Sequence, residues 1–318
     1  LSADTPSAIA KSTGLGMIGF ADAFQDLEPD MVVVLGDRYE LLAATFAAVT
    51  AIIPIGHIHG GETTEGSFDE AIRHSITKMA WWHFVAAKEY EKRVIQLGED
   101  PKRVFNVGGL GVDAINKAKL LSKDELTEKT GIQFSEKNLM VTYQPVTLEH
   151  NSSHKQFQVL LNVLDELKDI QLIFTMPNSD SDGRIIKDMI DDFVSSHSDR
   201  SIAFTSMGHL NYLSTLQYVD GVVGNSSSGL TEAPTFKIGT VNIGDRQKGR
   251  LKAQSVINCE QTKGSIEKAI GKLFSKDFRD MLPTVENPYG EGDASGKILD
   301  VLEKTPLPQA LKKAFYNL

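Results

Sequence analysis

Several short runs of this sequence carry the residue types that proton transfer and anion binding need. The first, Gly36-Asp37-Arg38-Tyr39-Glu40, follows the apolar run 31–35, MVVVL. A carboxylate and a guanidinium at a strand's carboxyl end stand where open α/β sheets meet their ligands. Asp37 could equally cap the helix that follows. The second run, His57-Ile58-His59-Gly60-Gly61-Glu62, puts two histidines on one side of a strand if the alternation holds. With Glu62, Asp69 and His74 close by, such a pair could hold a divalent metal or exchange protons with a sugar. The third, Ser67-Phe68-Asp69-Glu70, opens a helix whose apolar residues Ile72, Ile76 and Met79 recur at helical spacing. Ser67 and Glu70 make a capping box, which reserves Glu70 for structure and leaves Asp69 for chemistry. Arg73 lies one turn on, placed to pair with Asp69 or with a phosphate.

The back half adds an anion-binding pattern, Gly224-Asn225-Ser226-Ser227-Ser228-Gly229-Leu230-Thr231-Glu232 after the apolar pair Val222-Val223. A strand, a small-residue turn and a helix start offer N–H groups and hydroxyls to a diphosphate. Glu232, about one helical turn further in, would reach ribose hydroxyls. A plain serine-rich cap is the alternative. No Gly-Lys-Ser follows and there is no GxGxxG, so neither a Walker loop nor a dinucleotide fingerprint is present. Arg246, in Asn242-Ile243-Gly244-Asp245-Arg246, follows the next strand and can meet the same diphosphate. Asn178, Arg184 and His209 also stand in loops after strands.

The elements that position these runs are short β-rich apolar stretches at 31–35, 52–55, 84–86, 104–107, 139–143, 172–175, 202–204, 221–223 and 240–243, alternating with helix-like stretches. Continuous rather than alternating apolar strands predict parallel sheets covered on both faces, hence an α/β fold. The polar stretch 117–137 marks a domain boundary. It gives a first domain at 1–125 and a second at 126–304. Facing doubly wound halves would form a ligand cleft. The chain begins with a helix rather than a strand, so a first βαβ unit is expected upstream of Leu1.

A net charge of -9, from 33 basic and 42 acidic residues, argues against a nucleic-acid surface. The single cysteine, Cys259, excludes a disulfide framework and points to the cytoplasm. No apolar run approaches a membrane span, and residues 1–14 lack a signal-peptide pattern.

Taken together, GDRYE, HIHGGE, DEAIRHSITKM, QPVT at 144–147, Pro177-Asn178, GNSSSG with Glu232, NIGDRQKGR and YGEGDASGKILDVL resemble, in order along nearly the whole chain, the hydrolysing UDP-N-acetylglucosamine 2-epimerases of sialic acid biosynthesis. The resemblance implies two Rossmann-like domains in the GT-B arrangement with the nucleotide held mainly by the second, a terminal helix at 305–318, centred near 308–315, that packs back on the first domain, no cofactor and no metal, and a homodimer or homotetramer. It implies a small UDP sugar as partner, with no nucleic acid and no membrane. It assigns catalysis to Asp37, His59, Asp69 and Gln144. It assigns substrate binding to Arg38, Glu62, Glu70, Arg73, His74, Asn178, Arg184, Thr205, Ser206, Met207, Ser226, Ser227, Glu232 and Arg246. His59 stands where several relatives carry glutamate, and Gln144 where many carry histidine. The family's N-terminal Gly-Ser-Arg loop has no counterpart here.

The implied reaction is anti elimination of UDP to a glycal, then addition of water with inversion at C2, giving ManNAc. Competing expectations are a GT-B glycosyltransferase, a hydrolysing epimerase for a UDP- or GDP-linked 2,4-diacetamido sugar, a metal-dependent hydrolase on His57 and His59, and a non-catalytic nucleotide-sugar binding module.

Overall fold

The computed structural model describes residues 5–65, 67–146, 153–178 and 183–318. Thr147, the end of the QPVT run, lies outside them. Among the described residues every strand pair is parallel, and the reason is visible in the second sheet. Its strands are β5 (Asn138–Thr142), β6 (Gln171–Thr175), β7 (Ser201–Phe204), β8 (Gly221–Gly224), β9 (Gly239–Ile243) and β10 (Val256–Cys259). Leu139, Val141, Leu172, Phe174 and Val223 enter one core, while their neighbours Met140, Ile173 and Val222 enter another on the opposite face. Both faces bury apolar side chains, so the strands read as unbroken apolar runs. The first sheet holds β1 (Val32–Leu35), β2 (Ile55–Ile58), β3 (Trp82–Val85) and β4 (Val104–Asn106).

The first sheet runs in sequence order, β1-β2-β3-β4. The second has the order β10-β9-β8-β5-β6-β7, which reverses direction between β5 and β8. That reversal is the topological switch point, and in open α/β sheets ligands sit beyond the strand ends there.

The contacts divide the chain into two compact units. Unit 1 comprises residues 1–64, 68–113 and 289–318, and unit 2 comprises 65–67 and 114–288. The expected borders at 125 and 304 thus fall at 113 and 288. The polar stretch 117–137 belongs wholly to unit 2, where Leu121 N–H donates to Ser214 Oγ at 3.0 Å and Leu126 and Ile132 are buried. In unit 1 the carboxylate of Asp113 takes the backbone N–H groups of Asp293 (2.7 Å) and Ser295 (3.0 Å), anchoring the helix Ala294–Lys304.

Two local expectations differ from the structure. Strand β2 covers Ile55–Ile58 instead of 52–55, because Ile52 takes a left-handed φ of 60° and ends the preceding turn. Residues 305–318 form no helix. Their anchors are tertiary: Lys313 Nζ reaches Glu99 Oε2 (2.6 Å) and the carbonyls of Lys78 and Ala80, Tyr316 N–H donates to Gly98 O (2.9 Å), and the Phe315 ring fills the space a Cβ on Gly98 would occupy. Strand β10, from the run SVINC, was not anticipated. No helix among the described residues is long and apolar enough to cross a membrane.

Candidate active site and its relatives

In unit 1 the chemistry gathers around Arg73, on the helix Asp69–Met79 and only 2% exposed. Its guanidinium pairs with Asp37 and with Glu62 Oε2 (3.3 Å), and donates to the carbonyl of His59 (3.1 Å). A charge buried this deeply needs such partners, since the desolvation cost of an unpaired ion is several kcal/mol. Asp37 is thereby an Arg73 partner. The cap position of the helix Tyr39–Thr50 falls on Arg38, with no side-chain cap, so the capping alternative for Asp37 fails. Arg38 lies near the surface with Glu40 Oε2 3.6 Å away.

His57 and His59 do not share one side of a strand. His57 is the third residue of β2 and fully buried, with Nε2 2.8 Å from Gly36 O and Nδ1 3.2 Å from the Thr77 hydroxyl. Burial pushes its pKa down to about 3, outweighing the Gly36 hydrogen bond, so it is a neutral structural histidine. His59 lies beyond the strand end with φ 65°, which swings its ring elsewhere. Its Nδ1 is 2.7 Å from Glu62 Oε1, and its Nε2 accepts the Leu110 N–H at 3.2 Å. An accepting Nε2 fixes the neutral tautomer with the proton on Nδ1, donated to Glu62. Both ring nitrogens are engaged. Glu62, 2% exposed, spends its two oxygens on His59 and Arg73 and stands as support for them.

The expected capping box is absent. Phe68 holds the cap position without a side-chain bond, because the helix starts at Asp69. Glu70 does reach back, but to Thr64 N–H (2.5 Å), and its other oxygen meets His74 Nε2 at 3.0 Å. Burial alone would raise the Glu70 carboxyl. The His74 and Thr64 bonds and the Arg73 charge together hold it below its ordinary value. Asp69 occupies the first turn, half-buried. Among the described residues no group of three His, Cys, Asp or Glu side chains could hold a metal ion.

In unit 2 a cavity of about 350 Å³ opens at the carboxyl ends of β5, β6, β7 and β8. Gln144, Asn178, Thr205, Ser206, Met207, Ser226, Ser227 and Arg246 all line it. Arg184 and Glu232 are not among the lining residues. Glu232 sits behind the wall, its carboxylate accepting from Ser228 Oγ, which in turn meets the Tyr212 hydroxyl. Burial raises the pKa of Glu232 and takes the Tyr212 hydroxyl beyond its usual range. Tyr212, Ser228 and the backbone of Gly208 were missed, whereas His209 was singled out only for its loop position. Small hydroxyl and glycine residues leave no spacing signature of their own.

The helix after the serine turn runs only from Ser228 to Thr231 before a 3₁₀ turn, so its dipole is small. Ser227 at the cap position makes no side-chain cap bond, while Ser226 Oγ accepts Ser228 N–H at 3.4 Å. Gln144 Oε1 accepts Asn178 N–H at 2.8 Å, which leaves its amide NH₂ as the donor end. An amide does not exchange protons near neutrality, so Gln144 can orient or polarise but cannot act as acid or base.

The family described as UDP-N-acetylglucosamine 2-epimerase matches residues 1–303. The chain belongs to this family. A Campylobacter jejuni relative named GDP/UDP-N,N'-diacetylbacillosamine 2-epimerase (hydrolyzing) is 40% identical over 100% of this chain and 83% of its own length. A Legionella pneumophila relative named UDP-N,N'-diacetylbacillosamine 2-epimerase (hydrolyzing) is 34% identical over 95% of this chain and 78% of its own. The crystal structure of UDP-GlcNAc 2-epimerase from Neisseria meningitidis bound to UDP-GlcNAc superposes with a TM-score of 0.80, covering 93% of this chain and 82% of that one at 20% identity. The fold is thus the GT-B-like one of these 2-epimerases, and the chain is a hydrolysing nucleotide-sugar 2-epimerase.

Proposed function

We propose that the enzyme hydrolyses a UDP-linked 2,4-diacetamido sugar with inversion at C2. The observation that carries the nucleotide part is the ring of Ser226, Ser227, Arg246, Gln144 and Asn178 around one cavity at the switch point of unit 2. Hydroxyls and a guanidinium there suit a diphosphate. A sugar with acetamido groups at C2 and C4 is favoured by the names of the relatives at 40% and 34% identity. UDP-GlcNAc, giving ManNAc, is the second reading, favoured by the family's description and by the neisserial structure's ligand.

In the proposed chemistry a base takes the C2 proton while the bond from C1 to the β-phosphate oxygen breaks. UDP leaves with the electron pair, and a glycal remains. Water then adds its oxygen to C1, and an acid delivers a proton to C2 from the opposite face, releasing the free sugar. Asp37 and Asp69 are the proton-handling groups, since both nitrogens of His59 are already committed. Arg73, itself held by Glu62 and the His59 carbonyl, holds Asp37 in place. Ser226, Ser227 and Arg246 stabilise the departing diphosphate, which is where charge develops.

Turnover in deuterated water with each UDP sugar in turn tests the reading. Release of UDP together with a C2-deuterated, C2-inverted sugar is expected, faster for the diacetamido substrate and unaffected by a chelator. UDP release without C2 exchange would refute it in favour of a glycosyltransferase or a simple hydrolase. UDP binding without turnover would refute it in favour of a binding module.

A further inference from the structure

We infer that Asn225, a residue outside every role assigned above, is the positioning residue that fixes the nucleotide-sugar site from behind. Strands β5 and β8 pair as far as Thr142 and Gly224, with Asn225 N–H still donating to Thr142 O at 3.2 Å. Beyond that point the two main chains part around the switch point, and the Asn225 side chain fills the gap. Its Oδ1 accepts Gln144 N–H at 2.6 Å, and its Nδ2 donates to Gln144 O at 2.8 Å. This two-bond clasp substitutes a side-chain amide for the next rung of the ladder. The Asn225 carbonyl then accepts from Arg246 Nη1 at 3.2 Å and from Gln247 Nε2 at 2.9 Å.

One residue with no exposed surface therefore ties together the groups that follow three strands. Gln144 follows β5 and passes the restraint to Asn178 after β6 through its 2.8 Å bond, while Arg246 follows β9. Ser226 and Ser227 are the next residues along the chain. Gly224 allows the arrangement: its φ of 142° brings the backbone so near β5 that a Cβ would lie 1.9 Å from Thr142 O. Asn225 needs both a donor and an acceptor for the clasp, so aspartate, with the same shape, would set an oxygen against the Gln144 carbonyl.

The inference deepens the proposed function and rests on it for its catalytic readout, so the test pairs turnover with a ligand-free measurement. In Asn225→Ala, hydrogen exchange at the Gln144 amide should lose its protection, and kcat/KM should fall about 100-fold, the scale of a 1 Å misplacement. In Asn225→Asp the Oδ1 acceptor survives, so the amide should stay protected while kcat/KM falls at pH 8. Activity relative to wild type should then recover as the pH is lowered and the introduced carboxyl gains a proton to donate to Gln144 O. Asn225→Ser and the melting temperatures of all three variants complete the set. Exchange and kcat/KM within twofold of wild type in Asn225→Ala would overturn the inference. So would losses that follow thermal stability alone across the set with no recovery at low pH. Wild-type protein that keeps the exchange pattern but releases no UDP from any UDP sugar would sink the proposed function and leave the clasp standing.

Discussion

The two arginines best placed for an anion, Arg73 in unit 1 and Arg246 in unit 2, are treated in opposite ways. Arg73 is almost wholly buried and divides its guanidinium among Asp37, Glu62 and the His59 carbonyl. Arg246 is half-buried, leans on the Asn225 carbonyl and lines an open cavity among serines. In unit 1 opposite charges already satisfy one another, so removing one leaves another buried and unpaired. In unit 2 the polar groups face a space that a ligand can fill. The same residue type is thus locked among opposite charges in one unit and left facing open space in the other, and its partners decide which.

The largest expected effect separates the two arginines directly. Arg73→Met should lower unfolding stability by about 3–5 kcal/mol, the scale of breaking a buried ion pair. Arg246→Met should leave stability within about 0.5 kcal/mol, as for most partly exposed substitutions. It should weaken UDP binding by about 1.5–3 kcal/mol, the usual worth of a hydrogen bond to a charged group. Urea midpoints and calorimetric titration with UDP check the pair, and equal stability losses would erase the contrast.

Glu62→Gln comes next. It removes the charge between His59 and Arg73, and should cost about 100-fold in kcat, within the range for general acid–base support. UDP affinity should stay unchanged, because Glu62 belongs to unit 1's cluster. Steady-state kinetics beside UDP titration decides it; a loss confined to UDP affinity would contradict the assignment.

Acid should weaken the first region through His57. Its folded pKa of about 3 lies below the ordinary 6.5, so the unfolded chain binds the extra proton. The stability contribution is therefore complete above pH 6.5 and declines as pH falls towards 3, by about 1.4 kcal/mol per pH unit. Glu99 adds to the loss at lower pH. Burial alone would raise its carboxyl, but His83, Lys313 and Lys78 outweigh that and bring it to about 2. Urea midpoints between pH 7 and 4 should be steeper in pH for wild type than for His57→Gln.

Smallest of all, Ser226→Ala and Ser227→Ala should each weaken UDP binding by about 1 kcal/mol, the net worth of one neutral hydrogen bond. Melting temperatures should not move.

Much of this was legible in the sequence. Continuous apolar strands betray a parallel sheet because both faces are buried, as Leu139 and Met140 show by entering different cores. The serine turn was legible because its small residues follow a strand directly. What escaped depends on backbone turns or on contacts distant in sequence. No periodicity shows that His59 leaves the strand path with φ 65°, or that its ring would meet the N–H of Leu110, 51 residues later. The Ser67–Glu70 spacing fits a capping box, yet Thr64 N–H competes for the same carboxylate and takes it. The terminal helix was implied by the family resemblance alone, whereas here Lys313 is drawn to the buried carboxylate of Glu99.

That lysine bears on how the protein can be handled. Glu99 and His83 lie fully buried in unit 1, and Lys313 arrives from the irregular tail to share their charge with Lys78. Deleting the irregular stretch 305–318 would strip a cation from the middle of a folded unit.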